Sequence, residues 1–381
     1  MKSRKLFALM SVLALVMLVL AACAPATPQV VEKVVKETVV VTKEVPVVTK
    51  VVETQVVEKV VEKTVVATAA SPLAGKKFKI AGVFPGPVND AGWTTSAYLS
   101  LVQLRDKYGF EIAYTENVKP ENAEQVMREY VDAGYDIIYA HGFEYSDPIY
   151  KVAKEYPKTY FIQTNGSAAD LPNLYTVTFS AGEGGYFMGR LACQITKSGK
   201  VAYIAGSQFP ILSHHIKMSR QACKDLGRED VQIIESYVGA WDDPAKAKEL
   251  AKAAIEQGVD VLILEADIGD VGTVEAAKEA AAAGKYVRVI SWVKDKNYLA
   301  PDIVIGGWEE RVPRLIEYCV ERIAAGQPGG HFALGLKEGA VGLNPFYGLV
   351  PPEVEKDIVD LLQKYLQDPK SIPTLEVRTD L

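Results

Sequence analysis

Short apolar runs rich in β-branched residues alternate with helix-like patterns along most of the chain after Lys76. Each run has the length of a strand, and the segments between runs have apolar positions spaced for one buried helix face. The predicted strands are Lys77–Phe84, Glu111–Val118, Tyr135–Phe143, Thr159–Gly166, Leu174–Ser180, Lys200–Gly206, Val231–Gly239, Asp260–Asp267 and Tyr286–Val293. The predicted helices are Gly92–Tyr108, Pro120–Ala133, Ser146–Tyr156, Glu183–Thr196, Ser213–Leu226, Pro244–Gln257 and Val271–Ala283. Strands that alternate with helices in this way form parallel sheets, so the pattern predicts an α/β protein.

The alternation falls into two similar halves. The first half ends with a predicted helix, and the pattern begins again with the strand at Lys200–Gly206. The 381-residue chain leaves room after Lys76 for two lobes of ordinary size. We therefore predict one lobe over residues 76–198 and a second over residues 199–305, each a parallel sheet flanked by helices, with a ligand in the cleft between them.

The first 23 residues have the features of a secretion signal. Lys2, Arg4 and Lys5 precede an apolar run over residues 6–20. The Leu-Ala-Ala-Cys that ends at Cys23 resembles a bacterial lipobox, in which the cysteine becomes the lipid-bearing N-terminus. An uncleaved anchor helix and a cysteine present by chance are the alternatives. We predict a lipoprotein signal peptide over residues 1–23 and a chain anchored by lipid on the extracytoplasmic face of the cell membrane.

Residues 24–75 form a separate low-complexity segment. Within it, residues 30–66 repeat a unit of two valines and two polar residues, with glutamate and lysine in balance. A period of four matches neither strict strand alternation nor the 3.6 residues of a straight helix. A low-complexity stalk is the simpler interpretation, and a coiled coil that makes oligomers is the alternative. In both cases the segment spaces a domain from a membrane.

Three cysteines follow the signal, Cys193, Cys223 and Cys319, each within a helix-like pattern. This odd, sparse set predicts no disulfide framework and no metal-binding spacing, so we expect three buried thiols. The formal net charge of −6 argues against a nucleic-acid partner. Nothing in the sequence predicts a metal or a cofactor.

Aromatic and acidic residues recur where the predicted strands end, which is where open parallel sheets bind ligands. The candidate ligand-binding residues are Asn89, Asp90 and Trp93 after the first strand, Phe143, Glu144, Tyr145 and Asp147 after the third, and Phe209, Trp241, Asp242, Asp267 and Trp292 in the second half. Each has a simpler explanation by itself. A single tryptophan packs on a sheet edge, an aspartate before a helix caps it, and Tyr145 could cover the edge.

No arginine lies at these strand ends. That argues against a carboxylate or phosphate ligand, which guanidinium groups bind in a bidentate manner. Carboxylates that accept hydrogen bonds, together with rings for stacking, suit a planar heterocycle or a sugar. The composition of the site therefore predicts a ligand that donates hydrogen bonds from N–H or O–H groups.

Five stretches of the chain resemble segments of the BMP (basic membrane protein) family of substrate-binding lipoproteins. They are GVFPGPVNDAGWTTSAY, GFEYSDPIYKVAKEYP, GEGGYFMGRLACQITKSGKVAYIAG, WDDPAKAKELAKAAIEQGVDVLILEAD and GLKEGAVGLNPF, and the likeness extends from Lys76 to about Leu362. The resemblance implies a two-lobed type I periplasmic-binding-protein fold. It also implies a receptor, not an enzyme, that delivers purine nucleosides or bases to an ABC permease.

By the same resemblance, Asn89 and Asp90 would contact the ligand, Trp93 would stack on it, and Asp267 matches a ligand-contacting acid. The chain departs from the family at ISWVKDKN, around Trp292, where many members carry Gly-Val-Asp followed by Asp-Gln. That missing aspartate is tied to ribose recognition in nucleoside binders. The departure makes a free base such as adenine the expected ligand.

Two other functions fit parts of the sequence. The carboxylates could serve a nucleoside or glycoside hydrolase, although no motif by itself makes one, and the site could bind a sugar. For a receptor that closes on its ligand, we predict three hinge crossings, near Ser180–Gly185, Gly306–Trp308 and His331–Phe346. Residues 306–381 would return to the first lobe, complete the hinge and end in a C-terminal helix.

Two further motifs have structural interpretations. The GEGGYFMG stretch, residues 182–189, lacks the spacing of a dinucleotide loop and predicts a helix that crosses a neighbour at close range. His214 and His215 are adjacent, so a helix points them to different sides, and we expect them at the surface or at a helix start, without a metal.

Overall fold

The computed structural model describes residues 72–90, 92–166, 170–208 and 210–373. The predictions for the signal peptide, for lipidation at Cys23, for residues 24–71 of the stalk and for Phe209 fall outside the described residues. Among the described residues, none of the helices combines the length and the apolar character needed to cross a membrane.

The described strands form two six-stranded sheets. The strands are β1 Lys79–Val83, β2 Glu111–Thr115, β3 Ile137–His141, β4 Tyr160–Thr164, β5 Leu174–Phe179, β6 Lys200–Ala205, β7 Gln232–Tyr237, β8 Val261–Glu265, β9 Arg288–Ser291, β10 Val304–Glu310, β11 Gly330–Leu334 and β12 Val341–Leu343. The first sheet has the order β11-β5-β4-β3-β1-β2, and the second has the order β12-β10-β9-β8-β6-β7.

All pairs in the first sheet are parallel, as predicted. The second sheet differs from the prediction at one edge, where β12 runs antiparallel to β10 and Trp308 lies opposite Leu343. This edge strand is short and arrives from the hinge, so no crossover helix precedes it and nothing forces it to be parallel.

Helices cover both sheets, and the seven predicted helices are all present. The helices of the described residues are α1 Trp93–Tyr108, α2 Pro120–Asp132, α3 Ser146–Glu155, α4 Ala181–Ile195, α5 Pro210–Asp225, α6 Pro244–Glu256, α7 Asp270–Ala282, α8 Val312–Ala324 and α9 Pro352–Gln367. A proline lies in the first turn of α2, α6, α8 and α9, where its missing N–H costs no helical hydrogen bond. Central strands such as β3 and β8 are buried at every position because helices pack on both faces.

Within residues 72–373, the described part of the chain passes between the lobes three times. The first crossing is at Ser180, as predicted, and the third lies between β11 and β12. The second comes at Arg311, after Gly306–Trp308, which belong to β10 in the second sheet. The predicted return of residues 306–381 to the first lobe is therefore wrong for the end of β10 and for β12, which pair with each other in the second sheet. The crossings run side by side, since Ser180 N–H donates to Leu334 O at 2.9 Å and Arg311 N–H to Ala340 O at 2.8 Å.

Helices α4 and α5 pack at very short range, as the glycine-rich stretch predicts. A Cβ atom at Gly185 would lie 2.4 Å from the backbone oxygen of His215, and one at Gly189 would lie 2.2 Å from Ser219 Cα. The two glycines are four residues apart, as are the two residues that they face, so both pairs lie on one stripe of each helix.

The prediction of three buried thiols is wrong for two of the cysteines. Cys193 and Cys223 continue the α4 and α5 stripes by four residues and are joined by a disulfide, with Cα atoms 5.6 Å apart. The glycine contacts hold the helices close enough for the bond, which sequence spacing alone does not indicate. Cys319 is the free buried thiol among the described cysteines, and burial raises its pKa.

Candidate functional site

A cavity of about 560 Å³ lies between the two lobes, at the carboxyl ends of their strands. Its walls include Asp90 after β1, Gly142 after β3, Asp267 after β8 and Trp292 after β9. Its volume is in the range of small-molecule sites. No arginine is among the described residues that line it.

Asp90 uses its carboxylate to fix the start of α1. Its oxygens accept hydrogen bonds from the backbone N–H groups of Gly92, Thr94 and Thr95 at 2.8–2.9 Å, and from the Thr95 hydroxyl at 2.8 Å. Burial acts to raise the pKa of Asp90, but these hydrogen bonds outweigh it and lower the pKa. Asp90 borders the cavity as an ionised helix cap whose acceptor capacity is mostly occupied by the protein.

Trp93 is the first residue of α1 and lines the cavity from the first lobe. Its ring packs on the imidazole of His141, with centroids 4.1 Å apart and planes inclined by 30°. His141 Nε2 also lies 3.0 Å from the Trp93 backbone oxygen. The indole is therefore supported by a buried side chain.

The turn after β3 presents one aromatic ring and one carboxyl group to the cavity. Residues Phe143–Tyr145 form a 3-10 turn, and Phe143 and Glu144 both line the cavity. Phe143 is 64% exposed, at the rim. Burial raises the pKa of Glu144.

Asp267 lies on the opposite wall, directly after β8. Its backbone has φ of 50°, a left-handed conformation that is uncommon for a residue with a side chain. Its carboxyl group accepts no hydrogen bond from any described residue. Burial raises the pKa of Asp267 to about 7, and the negative charges of Asp270, Asp90 and Glu310 add to this rise against the opposing effect of Lys296.

The two lobes touch each other across the cavity at this point. A Cβ atom at Gly92 in the first lobe would lie 3.0 Å from Asp267 Oδ1 in the second. The facing walls are therefore so close at this point that a side chain at residue 92 would require one of them to shift.

A buried ion pair lies in the second-lobe wall. Lys296 Nζ pairs with Asp270 Oδ2 and donates to the Trp292 backbone oxygen at 3.1 Å. Asp270 is 1% exposed, and its other oxygen accepts from Ala266 N at 2.9 Å. Burial acts to lower the pKa of Lys296, but its pairing with Asp270 outweighs this and raises the pKa.

His215 and Trp292 form the deep end of the cavity. His215 Nδ1 lies 2.8 Å from Glu265 Oε1, and its ring is 4.5 Å from that of Trp292. The surface position predicted for His214 and His215 is wrong: they are 6% and 3% exposed, because α5 packs tightly on α4. Trp292 is 2% exposed, and its Nε1–H donates to Glu310 Oε1 at 3.1 Å.

Five carboxyl groups of the cavity wall have no ion-pair partner among the described residues: Asp90, Glu144, Asp242, Asp267 and Glu310. Asp270 pairs with Lys296 and Glu265 with His215, whereas Asp267 and Glu310 have no cation in salt-bridge contact. Burial raises the pKa of Glu310, like that of Asp267, to about 7. Carboxyl groups without a cation partner keep oxygens that can accept hydrogen bonds from N–H or O–H groups of a ligand, although one Glu310 oxygen already accepts from Trp292 Nε1.

The structure brings eight of the predicted site residues together around the cavity. They are Asp90, Trp93, Phe143, Glu144, Trp241, Asp242, Asp267 and Trp292. Three others lie outside its walls: Asn89 and Asp147 are exposed, and Tyr145 is fully buried. The Tyr145 hydroxyl donates to Val118 O, so this residue covers the sheet edge, as the simpler interpretation states.

Several polar residues that line the cavity are not among the predicted site residues. They are Asn165, His215, Glu265, Asp270, Lys296 and Glu310. Glu265 and Asp270 belong to the same short stretch as Asp267, EADIGD at residues 265–270. The spacing of its three carboxyl groups could have indicated that Glu265 and Asp270 also line the cavity. His215 comes from a helix, and Glu310 from the end of β10, which the periodicity did not predict.

The fold and the cavity define a two-lobed binding protein that encloses a small ligand between two parallel-sheet lobes. Residues 77–376 match the Bmp family profile, described as ABC transporter substrate-binding protein PnrA-like. The chain belongs to this family. This membership confirms the resemblance seen in the sequence. The family consists of substrate-binding proteins that act with an ABC permease outside the cytoplasm.

Individual relatives carry different names. The chain is 28% identical to the transcriptional activator protein med of Bacillus subtilis (strain 168) over 295 residues, which are 76% of this chain and 89% of that protein. It is 28% identical to a purine-binding protein of Brucella abortus (strain 2308) over 287 residues, 74% of this chain and 79% of that protein. The crystal structure of an ABC transporter solute-binding protein from Aeropyrum pernix K1 superposes with a TM-score of 0.64 at 24% identity, covering 78% of this chain and 87% of that one. This superposition supports the predicted type I periplasmic-binding-protein fold.

Proposed function

We propose that the protein captures a purine base, adenine in preference to a nucleoside, and presents it to an ABC importer. The observation that carries the proposal is a pair of carboxyl groups, Asp267 and Glu310, in a cavity lined by Trp93. Neither has an ion-pair partner among the described residues, and burial raises the pKa of each to about 7. Adenine offers an exocyclic amine and a ring N–H to such acceptors, and its flat ring can stack on an indole.

The preference for a base rests on the segment after β9. Trp292 and Val293 line the cavity at the position where nucleoside binders of the family carry the ribose-binding aspartate. The Trp292 N–H is already donated to Glu310 and the Val293 isopropyl group has no hydrogen-bonding atom, so neither side chain supplies the acceptor that an aspartate here would offer a ribose hydroxyl. A purine-binding relative at 28% identity adds support.

Titration calorimetry with ligand-free protein tests the proposal. Adenine is expected to bind more tightly than adenosine, guanine or hypoxanthine, and glucose is expected not to bind. Tight glucose binding without purine binding would favour the sugar receptor. Progressive release of adenine from adenosine would favour the hydrolase, because a receptor leaves its ligand unchanged.

Ligand binding is expected to close the two lobes. The Gly92 contact with Asp267 belongs to the closed state, and a ligand held by both walls favours that state by its differential affinity. Small-angle scattering is expected to give a smaller radius of gyration with adenine than without it. Identical scattering curves with and without bound adenine would contradict closure.

We also propose that a lipid on Cys23 anchors the protein on the outer face of the membrane, with residues 24–75 as a spacer. Replacing Cys23 with alanine is expected to move the protein from the membrane fraction to the soluble fraction. The adenine affinity of that variant is expected to equal that of the unaltered protein, because residue 23 precedes the whole binding domain in sequence. Retention of Cys23→Ala in washed membranes would exclude the lipid anchor.

A further inference from the structure

His141 is a fully buried histidine at the end of β3, behind the Trp93 ring. Its imidazole packs on the indole at 4.1 Å, and its Nε2 lies 3.0 Å from the Trp93 backbone oxygen. From these contacts we propose that His141 is a positioning residue, which holds the Trp93 indole in the orientation that stacks on the ligand. The inference rests on the proposed stacking role of Trp93.

The hydrogen bonds of His141 determine which nitrogen carries the proton. A carbonyl oxygen can only accept, so the Nε2 that faces Trp93 O must be the N–H. Nδ1 is then the acceptor, and the hydroxyls of Thr164, at 2.8 Å, and Tyr139 lie within hydrogen-bond distance of it. The Thr164 oxygen in turn accepts from Gly142 N at 3.2 Å. Both ring nitrogens are therefore bonded, and the imidazole has one orientation.

The same ring touches Trp93 in two independent ways. The hydrogen bond holds the backbone at the first residue of α1, and the packed faces restrict rotation of the indole side chain. A side chain that is already ordered loses less rotamer freedom when a ligand stacks on it. His141 thus reduces the entropic cost of stacking without lining the cavity itself.

His141 stays neutral over the working pH range of a receptor. Burial lowers the pKa of His141 to about 3, although the hydrogen bond to Trp93 and the charge of Asp90 act in the opposite direction. A neutral ring keeps its one N–H on Nε2, so the support for Trp93 is constant between about pH 5 and pH 8.

The first measurement needs no ligand. The time-resolved fluorescence anisotropy of Trp93 is obtained from the difference between each protein and its Trp93→Phe counterpart. In His141→Leu the indole is expected to depolarise faster, because its packing face and its backbone hydrogen bond are both lost. In His141→Gln, whose amide N–H can replace the Nε2 donor, the change is expected to be smaller. An unchanged anisotropy decay in His141→Leu would overturn the inference, whatever the ligand proves to be.

The second measurement is a double-mutant cycle with adenine. His141→Leu is expected to weaken adenine binding by about two- to tenfold, the range for loss of one ordered side chain. In the Trp93→Ala background the same change is expected to have almost no effect, since its target is gone. An equal loss in both backgrounds would show that His141 acts through the fold in general and would overturn the positioning role.

Two outcomes of these experiments have different consequences. If Trp93→Ala leaves adenine affinity unchanged, the stacking proposal fails, while the anisotropy comparison still decides whether His141 orders the indole. If His141→Leu does not fold, Thr164→Val takes its place, because it removes one donor to Nδ1 and leaves the ring in the protein. Thr164→Val is expected to change the Trp93 anisotropy in the same direction by a smaller amount, and no change would count against the inference.

Discussion

Replacement of Trp93 by alanine is expected to weaken adenine binding by about tenfold to more than a hundredfold. Stacking of a base on an aromatic ring contributes about 1–3 kcal/mol, and each 1.4 kcal/mol is a factor of about ten in affinity. Trp93 lines the cavity and is held from behind by His141, so its ring is ordered before the ligand arrives. Calorimetric titration of the folded variant measures the loss.

Matched variants separate stacking from a loss of stability. Trp93→Phe keeps an aromatic face and is expected to retain most of the affinity. Tyr298→Ala removes a ring that is 72% exposed and outside the cavity walls, and it is expected to leave binding unchanged. Melting curves are recorded alongside, because Trp93 also packs on the hydrophobic core. Tight adenine binding by a destabilised Trp93→Ala protein would reduce this residue to a packing role.

The sequence was sufficient to predict the two-lobed α/β fold. Strands such as Ile137–His141 and Val261–Glu265 are continuous apolar runs because both of their faces are buried, and buried faces leave a clear pattern. The strand Val304–Glu310 was not predicted, because Gly306 and Gly307 interrupt it and its register shifts between Val304 and Gly307. Periodicity fails where the backbone is irregular.

The candidate site could be predicted only in part, for geometric reasons. The rule that ligands bind at strand ends identified Trp93 and Asp267 correctly as cavity residues. It could not separate neighbours within one turn, and the 3-10 turn Phe143–Tyr145 places its first two side chains in the cavity and its third under the sheet edge. Glu310 was missed because it belongs to the strand whose periodicity is interrupted.

The disulfide was missed although its pattern is present in the sequence. Gly185, Gly189 and Cys193 are spaced by four residues, and so are the residues that they face on α5, which end at Cys223. The two stripes can be paired only if it is known that α4 and α5 are neighbours and in which register they pack. That information comes from tertiary packing.

Replacement of Lys296 by methionine is expected to destabilise the protein by about 3–5 kcal/mol, the range for removal of one partner from a buried ion pair. Asp270, 1% exposed, would lose its cation. Burial already raises the pKa of Asp270, and Lys296 opposes that rise, so the variant raises the pKa further. A folded-state pKa above the unfolded value gives stability that is present at low pH and lost as pH rises. Lys296→Met is therefore expected to be less destabilised at pH 5 than at pH 8 in urea unfolding.

The double variant Lys296→Met/Asp270→Asn provides the decisive comparison. Asparagine keeps an oxygen that can accept from Ala266 N but carries no charge, so most of the stability and the unaltered pH profile are expected to return. Lys356→Met, which breaks an exposed ion pair with Asp360 on α9, serves as the matched control and is expected to change stability little at either pH. Equal unfolding free energies for the Lys296→Met single variant and this control would contradict a buried charge on Asp270. Loss of stability without pH dependence would instead assign the effect of Lys296 to packing of its aliphatic stem, because only a charged partner makes the cost of burial depend on protonation.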